Sequence, residues 1–168
     1  MTKKQSAGLL VYKLNNGKHE VLIVHIAGPW MAKKDKGAWS IPKGEYIDDE
    51  DPLKTAYREF KEELDKEPPS ATPVPLGTID QKNNKTVIAW AVEGDIDLTG
   101  SKSNMVQIEW PPKSGKMQQF PEVDKPGYYS LEDAAQKLLP EQAPLLQRLA
   151  EHLKVDFDPT KNQQPSLF

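Results

Sequence analysis

The segment from Gly44 to Lys66, GEYIDDEDPLKTAYREFKEELDK, limits what this chain can fold into more than any other. Leu53, Ala56, Tyr57, Phe60 and Leu64 recur at the three- and four-residue spacing of a helix that buries one stripe. Asp51 is placed to cap the first turn and Pro52 to occupy the first helical position, while Pro68 and Pro69 follow Lys66 and stop the helix. Such a helix requires an apolar layer to lie on, and the rest of the chain has to supply it. Glu59, Glu62 and Glu63 stand at i, i+3 and i+4, and the spacing predicts that they share the face opposite the stripe. Like charges so placed cost a helix about 0.2–0.5 kcal/mol per pair, which a divalent cation would reverse. Clustered carboxylates suit a hard ion such as Mg²⁺, which takes oxygen ligands and acts together with substrate phosphates, better than they suit zinc. Arg58, four residues before Glu62, is expected to pair with that carboxylate and hold its orientation.

The partner layer reads as strands. Ser6–Tyr12 and Val21–Ile26 are rich in Leu, Val and Ile and flank Asn15-Asn16-Gly17, a hairpin turn signal, so they are predicted as central strands. Val74–Asp80 and Thr86–Val92 repeat the pattern around the polar turn Gln81–Lys85, with Trp90 alternating in phase with Ile88 and Val92 as a core residue. Met105–Trp110 reads as a short strand, Lys113–Pro126 as a long irregular segment and Gly127–Ser130 as strand-like. Helices are expected over Leu131–Leu139, capped by Ser130, and over Pro144–Val155, where Leu145, Leu146, Leu149 and Leu153 form one face. Residues 1–155 therefore read as a single domain and 156–168 as a loose C-terminal tail.

Composition removes several function classes. The 168 residues contain no cysteine, which excludes disulfides, thiolate zinc sites and thiol nucleophiles. His19, His25 and His152 lack metal-ligand spacing, and His25, inside a strand, reads as structural. A net charge of -3 offers no footprint for a stable nucleic-acid complex or for an anionic membrane. No apolar run approaches spanning length and the first residues lack a signal-peptide core, so a cytoplasmic protein is expected. Gly94 and Gly100 are separated by five residues and followed by Ser101, which is not a phosphate-binding P-loop. Oligomeric state has no signature here.

The register of Gly44, Glu50, Arg58, Glu59, Phe60, Glu62 and Glu63 resembles the Nudix box, G-x5-E-x7-R-E-U-x-E-E-x-G-U with U apolar. Two places depart from it: Asp65 stands where the family has glycine and Lys66 where it has an apolar residue. That glycine ends the helix in a left-handed conformation, so Asp65 should cost at most about 1 kcal/mol locally. The preceding Trp39-Ser40-Ile41-Pro42-Lys43-Gly44 resembles the approach to the box in diadenosine polyphosphate hydrolases and in some nucleoside triphosphate pyrophosphohydrolases. The tyrosine that the dinucleoside group carries after the box has no counterpart around Asp80 to Lys85.

The resemblance implies an α/β/α sandwich with a mixed β-sheet. It also implies hydrolysis of a phosphoanhydride bond in a nucleoside diphosphate linked to a further group, the substrate being a small nucleotide. In that case Glu59, Glu62 and Glu63 would bind Mg²⁺, or Mn²⁺ in its place, with the Gly44 carbonyl as a further oxygen and Arg58 orienting the carboxylates. Glu62, Glu63 and Glu122, the last from the long segment after Lys113, are the contenders for general base. Lys43 is placed to meet phosphate oxygens, and Lys82 and Lys85 at the hairpin tip either do the same or keep the turn soluble. The loop Gly28–Gly37, with Lys33, Lys34 and Lys36, leads into the same region. Other outcomes are an ADP-ribose pyrophosphatase, or a nucleotide-sensing module without turnover, whose usual mark is loss of the box carboxylates.

Overall fold

β1 (Lys4–Asn15) reverses at Asn16 and Gly17, with φ of 51° and 81°, into β2 (Lys18–Ile26), as the Asn-Gly turn predicts. The computed structural model describes residues 3–161. After β2 come two short strands, β3 (Trp39–Ser40) and β4 (Lys43–Tyr46), and then the helix α1 (Pro52–Leu64). The second hairpin is β5 (Val74–Gln81) and β6 (Lys85–Glu93). β7 (Met105–Glu109) and β8 (Met117–Pro121) pair only with each other, β9 (Val123–Ser130) returns to the main sheet, and α2 (Leu131–Lys137), a 3₁₀ turn (Pro140–Gln142) and α3 (Ala143–Leu153) follow.

The main sheet has seven strands. Its path runs β3-β2-β1-β6-β5, with β4 also on β1 and β9 on β2. β1 pairs parallel with β6 and antiparallel with β2 and β4, which makes the sheet mixed. The first residues of β1, Gln5–Gly8, hold β4, and its last, Tyr12–Asn15, hold β2. β2 and β4 therefore share one edge of β1 and diverge along it, and the site described below lies beside that divergence.

Period-two alternation sends the two faces of the sheet to two cores. Ala7, Leu9, Val11, Leu22 and Val24 face α1 through Ala56, Phe60 and Leu64. Leu10, Tyr12, Val21 and Ile23 face α2 and α3 through Leu131, Ala134, Leu145, Leu146 and Leu149. The architecture is thus an α/β/α sandwich. Trp90 is half-buried against the α1 core. Among the described residues no helix is long and apolar enough to cross a membrane.

Several elements differ from the expectation. Lys113–Pro126 is not irregular throughout, since it contains β8 and the start of β9. Met117, Gln118 and Gln119 are exposed, so no alternation of buried residues marks β8. β3 and β4 were hidden by their length and by Pro42 and Gly44, which disfavour strands. The stretch after α3 is tied down in part: Phe157 packs on the core and Gln136 Nε2 donates to the Pro159 carbonyl at 3.3 Å. The remainder of the expected tail, 162–168, lies outside the described residues.

Candidate metal centre

The cap of α1 forms as its sequence dictates: Leu53 N–H donates to Asp51 Oδ1 at 2.9 Å, with Pro52 in the first turn. At its other end Asp65 adopts φ 52° and ψ 41°, and its N–H donates to the Lys61 carbonyl. The aspartate thus takes the left-handed conformation that a glycine would take.

The carboxylates are not all on the far side of the helix. At about 100° per residue, Glu63 and then Glu59 border the apolar stripe, while Glu62 lies beyond them toward solvent. Accordingly Glu59 and Glu63 are 9% and 4% exposed, and Glu62 is exposed. Arg58 Nη2 lies 3.4 Å from Glu59 Oε1 instead of pairing with Glu62. The desolvated carboxylate is the stronger acceptor of the two.

Gly44 makes room for Glu59. A methyl on its Cα would fall 1.9 Å from Glu59 Cδ and 2.3 Å from both carboxylate oxygens, so any side chain there would displace the carboxylate. The next strand residue back, Lys43, donates its N–H to Glu63 Oε1 at 3.1 Å. Glu122 arrives from the other side. Its N–H donates to the Asn104 carbonyl at 3.0 Å, the Asn104 N–H to the Glu62 carbonyl at 3.1 Å, and its own carbonyl accepts from Ala27 N–H at 3.2 Å. The β7–β8 hairpin is therefore rooted on the helix and on the end of β2, and carboxylate oxygens of Glu59, Glu63 and Glu122 come within 4.8 Å of one another. A cleft of about 140 Å³ opens beside them, lined by Val24, Ile26, Ser40, Lys43, Glu63 and Glu122.

This arrangement is electrostatically strained. Burial, then the charge of Glu62, pushes the Glu59 carboxyl up to about 7, against the pull of Arg58. Burial and the Glu122 charge push Glu63 well above the usual carboxylate range, and the Lys43 N–H and ammonium oppose that rise. The Lys43 ammonium is lowered by burial and held up by Glu63. The donors are all hard oxygens, with no imidazole or thiolate among them, which fits Mg²⁺ or Mn²⁺. Glu62 stands outside the trio, at its rim. Lys82 points to Glu141 at 3.9 Å, whereas Lys85, exposed, lies near enough to Lys43 for its charge to oppose that ammonium.

Sequence reasoning passed over the support of Glu122. His25, read from the sequence as structural, is buried and faces Asp124 Oδ1 through Nδ1 at 2.8 Å and the Lys34 carbonyl through Nε2, joining the β9 start to the loop after β2. Ser103 Oγ accepts from Val123 N–H at 3.1 Å. No spacing in the sequence links these positions, because their partners lie 9 to 99 residues away.

The family model described as NUDIX domain matches residues 4–149. The chain belongs to the Nudix family.

Solved Nudix structures resemble it over nearly the whole chain. An Ap4A hydrolase from C. elegans, in a binary complex, is 23% identical, with 90% of this chain and 98% of that one covered and a TM-score of 0.61. The NUDIX domain of NrtR from Shewanella oneidensis, complexed with ADP ribose, is 18% identical over 91% and 90% of the two chains, with a TM-score of 0.60. A MutT protein from Methanosarcina mazei is 18% identical over 91% and 96%, with a TM-score of 0.55. At such identities these neighbours establish the shared Nudix fold. Among curated proteins, no relative matches by sequence.

Proposed function

We propose that this Nudix protein is a Mg²⁺-dependent hydrolase of a phosphoanhydride bond in a nucleoside diphosphate linked to a further group, acting on free dinucleoside polyphosphates or nucleoside triphosphates. The observation that carries the proposal is the convergence of Glu59, Glu63 and Glu122 within 4.8 Å, beside a glycine that leaves space for one of them. Three half- to fully buried carboxylates at that separation are, when ionised, a loss to the fold unless they hold a cation.

In this reading Glu59 and Glu63 hold the ion, with the Gly44 carbonyl and Glu62 at the rim as further oxygen donors. Mg²⁺, or Mn²⁺ in its place, would supply positive charge against the phosphate oxygens and make the attacking water more acidic. Glu122 approaches from a separate chain segment, facing the other two carboxylates, and is assigned the proton of the attacking water. Arg58 holds Glu59 in orientation from 3.4 Å. The Lys43 ammonium, among carboxylates in the cleft, meets the phosphate chain as a fixed positive charge. The Trp-Ser-Ile-Pro-Lys-Gly approach, with its resemblance to diadenosine polyphosphate hydrolases and some nucleoside triphosphate pyrophosphohydrolases, favours a dinucleoside or triphosphate substrate over ADP-ribose. A sensing role finds no support in the altered end of the box, since Asp65 closes the helix as glycine would.

The test is phosphate release by purified protein with Mg²⁺ from diadenosine polyphosphates, nucleoside triphosphates and ADP-ribose, with Glu63→Gln and Glu122→Gln as controls. Turnover that drops at least a hundredfold in both variants supports the assignment. Nucleotide binding with no turnover of any compound refutes it in favour of sensing.

A further inference from the structure

Trp30 and Trp110 meet edge to face, with ring centroids 5.2 Å apart and planes at 88°. Trp39 and Trp90 pack in the cores, but Trp30 is 55% exposed. Neither Trp30 nor Trp110 donates its indole N–H to an acceptor among the described residues. An open indole face with a free N–H forgoes the burial that usually accounts for tryptophan in a fold.

The pair stands at the tip of the β7–β8 hairpin, whose root carries Glu122, so a ligand lying along the hairpin spans the two. Ala27 N–H donates to the Glu122 carbonyl, and Trp30 follows three residues later, so chain reach keeps it within about 10 Å of Ala27. The loop is folded tighter than that limit, because the N–H groups of Met31 and Ala32 both return to the Gly28 carbonyl. Trp110 comes from the hairpin that Glu122 terminates. Its N–H donates to the Lys116 carbonyl at 2.9 Å, and Ile108, two residues before it, lies against Gly28, where an added methyl would sit 3.5 Å from Ile108 Cδ1. Exposed lysines border the pair on both loops, Lys33 on one and Lys116 on the other.

From this geometry we infer that Trp30 and Trp110 form a stacking wall for the nucleobase of the substrate, with the phosphate chain running from it past the bordering lysines to Glu59, Glu63 and Glu122. The inference deepens the hydrolase proposal and rests on its nucleotide substrate. A stacked base gains from the π-face of an indole whichever base it is, so the wall selects for the presence of a base and not for one base over another. A polyphosphate without a base meets the same lysines and carboxylates and gains nothing from the wall.

The test is equilibrium binding, with Mg²⁺ present, of methylene-bridged nucleoside triphosphates carrying each of the four bases, against the same bridged chain on an abasic ribose. Wild-type protein should bind at least one base-bearing ligand about tenfold or more tightly than the abasic one. Trp30→Ala should remove that difference while leaving the abasic affinity within twofold, Trp30→Phe should keep most of it, and Trp110→Ala should reduce it. Equal binding of abasic and base-bearing ligands by the wild type overturns the inference, as does a Trp30→Ala protein that is folded by circular dichroism and retains full preference. Hydrolysis is read separately on cleavable substrates. Turnover with no base preference removes the wall and keeps the enzyme, whereas base preference with no turnover keeps the wall and removes the enzyme.

Discussion

Gly44 and Glu59 occupy one small volume between β4 and α1, and the chemistry assigned to the site depends on that fit. A methyl at Gly44 would lie inside the Glu59 carboxylate, at 1.9 Å from Cδ, so either the side chain leaves or the strand shifts. Gly44→Ala is therefore expected to abolish turnover by displacing Glu59, with little loss of stability in the metal-free protein, because what gives way is the end of a flexible side chain. Urea denaturation and a Mg²⁺ titration of the thermal midpoint check both parts. At this scale the sequence was informative about identity and less so about placement. Glu59 and Glu63 were legible from helical spacing, but their burial was not, because a carboxylate beside an apolar stripe can turn to either side of it. Glu122 could be named only through resemblance to the family. Its position depends on Asn104 and Ala27, whose backbone bonds leave no trace in residue type.

Among the elements, α1 was the most legible, since cap, first-turn proline and apolar stripe all agreed. The β7–β8 hairpin was the least legible. Its second strand is exposed over Met117, Gln118 and Gln119 and so carries no buried period, and its partner is another strand of the same excursion instead of the main sheet. β3 and β4 escaped for a different reason, since two to four residues are too few to show alternation. The end of α1 allows a direct test. Asp65 holds φ 52° with no side-chain hydrogen bond among the described residues, a conformation that costs a non-glycine residue about 1 kcal/mol. Asp65→Gly should therefore raise stability by about 0.5–1 kcal/mol, seen as a higher urea midpoint with an unchanged slope, and should leave turnover intact. A lowered midpoint would show that Asp65 contributes more than its backbone conformation.

Across the molecule, the raised carboxyls link stability to pH. Glu59 titrates at about 7 in the fold against 4.5 unperturbed, so the folded chain holds this proton more tightly than the unfolded one. Its contribution is then fully present below the unperturbed value and is lost as pH rises through about 7. Glu63 is shifted in the same direction. Metal-free protein should thus be less stable at pH 8 than at pH 5.5 as far as these groups decide it, and Glu59→Gln should flatten the slope. Mg²⁺ needs the ionised carboxylates, so it should raise the thermal midpoint more at pH 8 than at pH 6, with protons released on binding. Thermal scans at the two pH values, with and without Mg²⁺, decide the point.

β1 joins strands that are far apart in the chain: Lys4 through Tyr12 lie alongside Lys85 through Glu93, while β2 meets β9 about a hundred residues on. Contacts of such span raise contact order, and loop closure has to precede their reward, which places folding toward the slow end of the range for single domains. During synthesis α1 emerges with Glu59 and Glu63 while the parallel partner of β1 and the residue that completes the cluster, Glu122, are still to be made. The nascent chain therefore carries an acidic helix without its sheet, and competence to bind a cation arrives only once β9 has closed on β2.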